Sequence, residues 1–575
     1  MNQAPGSSES EKSAKTLFLA FLLVWLLLNL FQAAFTELDP DEAYYWVYSL
    51  SLDWGYFDHP PMIALLIRAG YACFHSELGV RLGAVLLQTG TFYFIWLLAN
   101  KPSSRRDTWF FIALLAALPL FQVYGFIAAP DAPLLFFGAA FLWLYRRFLQ
   151  RSSLLHTLLL GACMAALLYS KYHGILLIGF VVLSNLKELL RKPAFYAAGI
   201  FGVLLFLPHL YWQYMENFPS FRYHLSGRDD PYELKHTFTY LLNQPIMFNP
   251  LLFPLILKAI WKSNYQGAER RSWLFMIMGF WAFFFWATFK GHAEPQWTGL
   301  LAIPLVLITY QYAREREVFR RWILRLSLIT VIGFLIGRLL LASAWIPLPT
   351  EFQNREWIEL IRKEANGLPV VFQNSYRNPS KYAFYTGERA YTFTDAYYRK
   401  SQYDLWDWEK ALHNHAALIV GHDVWKCKTC KVLEIPWKND VKEVKLLRID
   451  SLQIAGKLEI TPAVKAISVQ RGEPLRVFLQ IKNPYEHEVR QKVGTMPLTF
   501  SALFFDGVQE APVAILDDVF VLPRGQIGAR ETVELNAMLP LPDTLNGNFT
   551  MVFGVRTGQL PPAINSTPVA LQINN

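Results

Sequence analysis

The sequence predicts a polytopic α-helical membrane protein with about eleven transmembrane helices and a soluble C-terminal part. Only 17% of its 575 residues are charged, whereas about 25% is usual in soluble domains. Long apolar runs fill residues 16–345, and residues 346–575 have the mixed composition of a soluble protein. Short basic clusters separate the apolar runs. The net charge of +9 therefore indicates membrane orientation and not nucleic-acid binding.

Eleven apolar runs approach the roughly 20 residues that a helix needs to span a bilayer. The first run lacks a signal-peptide cleavage site and opens a series, so we predict a retained helix. The predicted spans are 16–35, 79–99, 108–128, 132–148, 154–170, 172–187, 195–213, 238–260, 273–289, 297–313 and 323–345.

Basic clusters follow the exits of the even-numbered spans, for example Lys101–Arg106 after the second and Arg314–Arg325 after the tenth. Cytoplasmic loops carry such clusters, so these loops and the N-terminus are predicted to be cytoplasmic and the tail extracytoplasmic. The apolar segment 61–74 would reverse this parity if it spanned the membrane. We therefore predict an interfacial or re-entrant helix in a long first outer loop, residues 36–60 and beyond.

The tail is predicted to contain two domains after the membrane domain at 1–345. Residues 346–450 show helical spacing followed by short buried strands, which indicates a small α/β domain. Residues 455–575 alternate apolar and polar positions between turns, which favours an immunoglobulin-like β-sandwich. Cys427 and Cys430 form a C-x-x-C pair without a second pair at zinc spacing, so a local disulfide is expected in an extracytoplasmic tail.

The first outer loop combines acids with aromatic residues. Residues 36–60 hold six acids and no Lys or Arg, together with Tyr44 and six other aromatic side chains. Aromatic rings beside carboxylates suit sugar binding, because a sugar has apolar C–H faces and polar edges. The same rings also suit a membrane-interface belt.

Further ionisable residues lie at the other outward breaks between spans. Such groups are costly at membrane depth and are functional candidates by default. Structural alternatives are a Lys171 or Lys290 that extends to the interface and a His209 satisfied between helices. The candidates are Asp131, Lys171, His173, His209, His224, Arg228, Lys290 and His292.

Several segments in a fixed order resemble one enzyme family. The first loop reads DPDEAYYW…GYFDHPPMIALLIR, and PDAPLLFF, LLYSKYHGILL, PHLYWQ, FRYHLSGR and KGHAEPQW follow. Over residues 16–345 this set resembles the lipid-linked-sugar glycosyltransferases of the GT-C superfamily, in particular the bacterial protein mannosyltransferase and aminoarabinose transferase families. The resemblance implies an enzyme of the bacterial inner membrane. Its donor would be a polyprenyl-phosphate sugar, and its acceptor a glycolipid, a glycan or a protein.

The resemblance also implies roles for individual residues. Asp41 would be the catalytic carboxylate, and Asp39 and Glu42 of the same loop are its rivals. Asp58 and His59 match a first-loop motif that is often Glu-Lys in relatives, a departure that leaves the role of His59 open. Lys171 would face the donor phosphate. The remaining matches are Asp131, which follows the third span, and the His224 and Arg228 pair of the long outer loop.

The residue types fit a direct displacement at the anomeric carbon. Asp41 can accept the proton of an attacking hydroxyl, and Lys171 and Arg228 can stabilise the departing phosphate. One base and one displacement imply inversion. Asp58 with His224 could bind a divalent cation, although such pairs also form plain hydrogen bonds.

Arg338 lies inside the last predicted span, roughly 10 Å from its end. It should meet an anion there, either a buried carboxylate or the lipid phosphate.

Two other functions compete with a monosaccharide transferase. An oligosaccharide ligase or polymerase would share the architecture. A lipid or sugar transporter would perform no chemistry, but transporters often show inverted repeats and broken midplane helices. The sequence shows no such repeat, and its charged groups cluster at the outer surface, which favours an enzyme.

Overall fold

The computed structural model describes residues 5–225 and 231–574, apart from positions 344, 347, 423–424, 439, 493, 495, 508–510 and 543. The chain divides into two compact units, Met1–Gln353 and Asn354–Asn575. The first unit is helical, and the second contains helices and β-sheets.

Seventeen α-helices make up the described part of the first unit. Their bounds are α1 (Pro5–Phe35), α2 (Pro40–Leu50), α3 (Met62–Cys73), α4 (Glu77–Leu98), α5 (Arg105–Ala116), α6 (Pro119–Val123), α7 (Asp131–Gln150), α8 (Leu154–Ser170), α9 (Gly174–Ser184), α10 (Leu186–Leu189), α11 (Pro193–Met215), α12 (Pro219–Leu225), α13 (Leu234–Met247), α14 (Phe253–Lys262), α15 (Ala268–Ala287), α16 (Ala302–Arg314) and α17 (Glu317–Ser343). A 3₁₀ helix, Pro295–Leu301, leads into α16.

Helices occupy all of the predicted spans. Among the described residues, five helices are long and apolar enough to cross a membrane by length and composition: α1 from Glu9, α4, α7, α11 and α17. The total of eleven spans stays a prediction.

Three predicted spans, the third, the sixth and the eighth, are interrupted, and one asparagine joins the interruptions of the third and the eighth. In the third span, helix α5 ends at Ala116 and helix α6 begins at Pro119. The eighth is broken between α13 and α14 by Asn249, whose backbone has a positive φ of 79°. The side chain of Asn249 accepts hydrogen bonds from the N–H groups of Leu251 and Leu252. Its amide donates to the carbonyl of Ala117 at 2.9 Å, which links the two breaks.

The first outer loop is largely helical. Helix α3 lies where an interfacial helix is predicted, but α2 occupies residues treated as loop in the sequence analysis. Asp39 and Glu42 form a capping box at its start, and Pro40 is its first residue. These are recognised helix-start signals, and they explain why an acidic, aromatic segment becomes a helix.

The second unit begins with a mixed five-stranded sheet. The strand order is β2-β1-β3-β5-β4; β2, β1 and β3 are parallel, and β5 and β4 are antiparallel to their neighbours. Cys427 and Cys430 form the expected disulfide just before β4. The elements are α18 (Glu356–Ala365), β1 (Val370–Gln373), α19 (Arg377–Thr386), β2 (Ala390–Phe393), α20 (Gln402–Leu405), β3 (Ala417–His422), β4 (Lys431–Trp437) and β5 (Asp440–Ile449).

Antiparallel strands dominate the rest of the second unit. One sheet has the order β11-β10-β14-β16-β7, with β15 beside β14 and a parallel β16–β7 pair; a second has the order β13-β8-β6, and β12 pairs with β9. The strands are β6 (Glu459–Pro462), β7 (Ala466–Gln470), β8 (Leu475–Lys482), β9 (Val489–Arg490), β10 (Leu498–Phe505), β11 (Ala514–Leu516), β12 (Gln526–Ile527), β13 (Thr532–Leu539), β14 (Gly547–Thr557), β15 (Ala563–Ile564) and β16 (Val569–Asn574).

The two larger sheets of this part share one apolar core. Strand β8 alternates buried and exposed residues along its whole length, as the sequence predicts. Its buried residues join those of β10, β14 and β16 in one cluster, which also includes Val371 and Ile419 of the mixed sheet. The immunoglobulin-like topology and the domain boundaries near 345 and 455 stay predictions.

Two stacked histidines lie beside the segment that follows β5. The rings of His413 and His487 are 3.4 Å apart at their centroids and inclined by 13°. The backbone N–H of Ile454 donates to Nδ1 of His413 at 3.3 Å, and Nε2 of His487 donates to the carbonyl of Ile454 at 3.0 Å. Burial, followed by the charges of His487 and His415, lowers the pKa of His413.

Acid should therefore loosen this part of the second unit. The pKa of His413 is lowered in the fold, so its contribution to stability is present above the unfolded pKa of about 6.5 and is lost as pH falls through the folded pKa. Protonation at Nδ1 would also remove the acceptor for Ile454. Hydrogen exchange of residues 450–458 should accelerate between pH 7.5 and pH 5 more in the wild-type protein than in His413→Asn, after correction for intrinsic exchange. His75→Asn, an exposed change in the other unit, should behave like wild type. Equal acid sensitivity in His413→Asn would contradict the prediction.

Candidate active site

Three carboxylates at the start of α2 have different environments. Asp39 is the N-cap residue, and its Oδ1 accepts the backbone N–H of Asp41 at 2.9 Å. Oε2 of Glu42 accepts the backbone N–H of Asp39 at 3.0 Å. Asp39 and Glu42 are therefore engaged in the helix cap. Asp41 lies half-buried between them in the first turn.

Glu42 also forms a buried ion pair with Arg81 of α4. Arg81 donates from Nε to Oε1 at 2.8 Å and from Nη2 to Oε2 at 2.6 Å, and the two side chains are 0% and 1% exposed. The backbone N–H of Ala128 donates to Oε1 at 2.7 Å. Such bidentate, charge-assisted contacts are strong. This carboxylate is occupied on both oxygens, which argues against the expected catalytic role of Glu42 and favours a positioning role.

Arg81 closes the C-terminal end of α1 as well. Its Nη1 donates to the carbonyls of Ala33 and Thr36, and its Nη2 donates to that of Glu37 at 2.7 Å. These carbonyls lie where a helix end leaves acceptors without intrahelical donors. The sequence analysis missed Arg81, although an arginine in the predicted span 79–99 is the signal that should mark it.

Asp58 is held by two tyrosines of α2. Tyr44 and Tyr48, one helical turn apart, donate to its Oδ2 at 3.0 and 3.1 Å. His224 contacts the same residue, but its Nε2 donates to the backbone carbonyl of Asp58 at 2.9 Å. In the described part of the chain no group of three His, Cys, Asp or Glu side chains is placed to hold a metal ion.

His59 follows in the same loop. The hydroxyl of Tyr45 and Nε2 of His59 are 3.3 Å apart. The rings of His59 and His224 have centroids 6.4 Å apart, so the predicted residues of the first and fourth outer loops do meet.

Lys171 and Asp131 form a second buried ion pair. Nζ of Lys171 lies 2.9 Å from both oxygens of Asp131, and each residue is 6% exposed. Lys171 caps the end of α8, and Asp131 is the first residue of α7. Two candidates that are 40 residues apart are thus neighbours. This lysine does not extend to solvent.

Carboxylates from three parts of the chain converge on Tyr124. Asp39 and Asp41 of the first loop, Asp131 of α7 and Glu294 before the 3₁₀ helix all interact electrostatically with its hydroxyl group. The sequence analysis missed Tyr124. Its position at the outer end of the predicted span 108–128 was the available signal.

The fourth outer loop is fastened to the first by hydrogen bonds. Nδ1 of His209 donates to the carbonyl of Trp54 at 2.7 Å, and the hydroxyl of Tyr172 donates to its Nε2 at 2.9 Å. Nε1 of Trp212 donates to Asp53 at 2.9 Å. His209 is therefore satisfied between segments, as its structural alternative predicts.

The fifth outer loop is less enclosed. Lys290 is exposed, with its ammonium 5.5 Å from the ring centre of Trp286. His292 is half-buried, with Nε2 3.9 Å from Glu294. Arg228, a candidate for the donor phosphate, lies outside the described residues.

Arg338 does not pair with a carboxylate among the described residues, so the prediction of a buried carboxylate as its partner is wrong. It is 4% exposed, and its Nη2 donates to Oδ1 of Asn29 at 2.9 Å and to the carbonyl of Gln122. Within the described residues no acid forms an ion pair with it. An amide and a backbone carbonyl take the place of the expected anion.

Comparisons with known proteins agree with the predicted resemblance. The sequence model of the family described as dolichyl-phosphate-mannose-protein mannosyltransferase matches residues 58–212. The lipid A galacturonosyltransferase RgtD of Rhizobium johnstonii is 29% identical over 213 residues. That match covers 35% of this chain and 44% of the relative, so the chain spans less than half of the relative's length.

Solved structures show the same fold. ArnT from Cupriavidus metallidurans in the apo state superposes with a TM-score of 0.56 and 14% identity, covering 76% of this chain and 98% of ArnT. The structure of that protein bound to undecaprenyl phosphate matches with a TM-score of 0.56 and 16% identity, covering 74% and 97%. The predicted resemblance to the GT-C glycosyltransferases is confirmed.

Breaking the Glu42–Arg81 pair should destabilise the first unit. Glu42→Gln or Arg81→Met leaves a buried partner uncompensated, a change that typically costs about 3–5 kcal/mol. The double variant Glu42→Leu/Arg81→Met should lose less than the two single changes together. Thermal unfolding of the purified protein measures this order. Glu188→Gln, from a partly exposed pair with Lys192, should change little. Additive losses in the double variant would argue against the buried pair.

Proposed function

We propose that the chain is an inverting glycosyltransferase that moves a sugar from a polyprenyl-phosphate donor to an extracytoplasmic acceptor, with Asp41 as the general base. The observation that carries this proposal is the arrangement at the start of α2. Asp39 and Glu42 serve the helix cap and Arg81, while Asp41 lies half-buried between them in the first turn. A rigid cap on both sides of a carboxylate is what a positioned base needs.

The proposed reaction is one displacement. An acceptor hydroxyl attacks the anomeric carbon, a new C–O bond forms, and the bond from that carbon to the phosphate oxygen breaks. The hydroxyl proton passes to Asp41. The electron pair of the broken bond stays on the polyprenyl phosphate, which is a good leaving group and needs no general acid.

Cations at the same face would stabilise the departing phosphate. A lysine ammonium has three N–H donors. The ammonium of Lys171 donates to the two oxygens of Asp131, so one N–H is left to donate to a phosphate oxygen. Arg228 is proposed as a second cation, and His224 and His59 are proposed as further donor-binding residues. A divalent cation on Asp58 and His224 remains part of the proposal, and it would require Nε2 of His224 to release the backbone carbonyl of Asp58.

The names of relatives support a polyprenyl-phosphate donor and a glycolipid as one class of acceptor. ArnT binds undecaprenyl phosphate, and RgtD is a lipid A galacturonosyltransferase. We therefore propose a polyprenyl-phosphate-linked hexose or pentose as donor and a glycolipid, glycan or protein as acceptor. The proposed setting is the inner membrane, with eleven spans, a cytoplasmic N-terminus and an extracytoplasmic tail that carries an α/β domain and an immunoglobulin-like domain.

Asp41→Asn should abolish most transfer while donor binding survives. The change keeps the shape of the side chain and removes its basicity, and general-base catalysis contributes about 10²–10⁴-fold in rate. The measurement is release of polyprenyl phosphate from a polyprenyl-phosphate-linked sugar by the purified protein in the presence of envelope acceptors. Asp39→Asn is the control, and it should be milder because asparagine is also a good N-cap residue. Near-normal turnover in Asp41→Asn would refute the assignment of the base, and absence of transfer by the wild type would refute the function.

Lys171→Ala should weaken donor binding and slow transfer. Because this change leaves Asp131 buried and uncompensated, the double variant Lys171→Ala/Asp131→Asn tests donor binding in a fold without that charge. We expect both variants to raise the donor KM. Lys262→Ala, at the exposed last position of α14, should leave the KM close to that of wild type. Normal donor affinity in the double variant would remove Lys171 from the donor site.

A further inference from the structure

Arg338 is a buried cation, and no carboxylate among the described residues forms an ion pair with it. It belongs to α17, and its side chain is 4% exposed. Nη2 has two acceptors, but Nε and Nη1 are enclosed without a hydrogen-bond partner among the described residues. An unpaired buried charge is expensive.

Aromatic rings surround the guanidinium. Its central carbon lies 5.5 Å from the ring centre of Trp25 and 5.3 Å from that of Phe126. Arg81 approaches the ring of Phe126 as well, at 5.6 Å. Cations within about 6 Å of a ring centre are attracted by its quadrupole. Phe126 is thus a common neighbour of Arg338 and of the arginine that holds Glu42.

A glycine makes the close approach feasible. A Cβ added to Gly125 would lie 2.7 Å from Oδ1 of Asn29 and 3.2 Å from Nη2 of Arg338. A larger residue at position 125 would therefore push Arg338 and Asn29 apart. The chain from Gln122 to Ala128, which we name the 122–128 segment, is therefore packed tightly onto the guanidinium.

The 122–128 segment reaches the proposed base from the other side. Its last residue, Ala128, donates its N–H to Glu42 at 2.7 Å. Glu42 holds the backbone N–H of Asp39, and Asp39 holds that of Asp41. Tyr124, on whose hydroxyl the charge of Asp41 acts, belongs to the same segment. Hydrogen bonds at both ends of the 122–128 segment thus connect α17 to the first turn of α2.

We propose that Arg338 is a positioning residue for Asp41, acting through the 122–128 segment and Glu42. Its guanidinium fixes the Gln122 carbonyl and the Phe126 ring, and these fix the Ala128 N–H that orients Glu42 and the helix cap. The catalytic consequence rests on the proposed role of Asp41, whereas the mechanical connection does not.

The test compares Arg338→Met with Arg325→Met, a change at an exposed position of the same helix. A misplaced base is expected to lower kcat by about 10–100-fold, because errors near 1 Å cost about 10²-fold. The donor KM should stay within about threefold of the wild-type value, with rates normalised to donor-binding sites. Arg338→Lys keeps the charge and one donor but not the planar group, so it should restore part of kcat. Arg325→Met should match wild type.

Hydrogen exchange supplies a readout that does not depend on activity. In the full-length protein in lipid nanodiscs, Arg338→Met should accelerate exchange at residues 40–50 and 122–128, and Arg325→Met should not. If Arg338→Met does not fold, Phe126→Leu loosens the same contact and should give the same pattern.

The outcomes separate this inference from the proposed function. Unchanged exchange in residues 40–50 would overturn the positioning role, whatever the activity. A raised donor KM with unchanged exchange would mean that Arg338 contacts the donor instead. Faster exchange in a protein whose Asp41→Asn variant is fully active would confirm the connection and reject Asp41 as the base.

Discussion

The buried ion pair between Glu42 and Arg81 is the contact on which the outer end of the first unit depends. Residues 36–60 hold six acids and no Lys or Arg, and the cation that pairs with Glu42 comes from another helix. Arg81 of α4 supplies it and also binds the last carbonyls of α1. One guanidinium therefore fixes the relative positions of α1, α2 and α4. A buried pair is weak evidence for added stability, but its loss is costly, which is how it can specify one arrangement.

The carboxylates near this ion pair have different partners. Glu42 is neutralised by Arg81, and Asp131 is neutralised by Lys171. Asp39 is occupied by the first turn of α2. The same face therefore holds many acids without a correspondingly large repulsion, because two of them carry their own cations. Asp41 lies half-buried between two neighbours whose oxygens are engaged by the helix cap and by Arg81.

Sequence patterns predicted what depends on neighbouring residues and missed what depends on distant ones. Apolar runs located the helices. The capping box of Asp39 and Glu42 is also visible in the sequence and marks the start of α2, although this segment was predicted to be a loop. The break at Asn249 could not be foreseen, because its amide bonds the carbonyl of Ala117, 132 residues away. A buried carboxylate was one of the two expected partners of Arg338, but the side chain binds a carbonyl and an amide. Charge alone does not reveal which acceptor a buried arginine finds.

The distant contacts that build the site follow one rule. Inside a membrane-spanning helix the backbone satisfies its own hydrogen bonds, so side chains can bind backbone groups mainly where helices begin, end or break. Arg81 binds carbonyls at the end of α1, Arg338 binds one near the end of α6, and Ala128 offers its N–H just before α7. The α6–α7 break exposes a donor for Glu42 and an acceptor for Arg338 within seven residues. A continuous helix there would hide both groups, so this break is a requirement for holding α2 and not a defect of the third span.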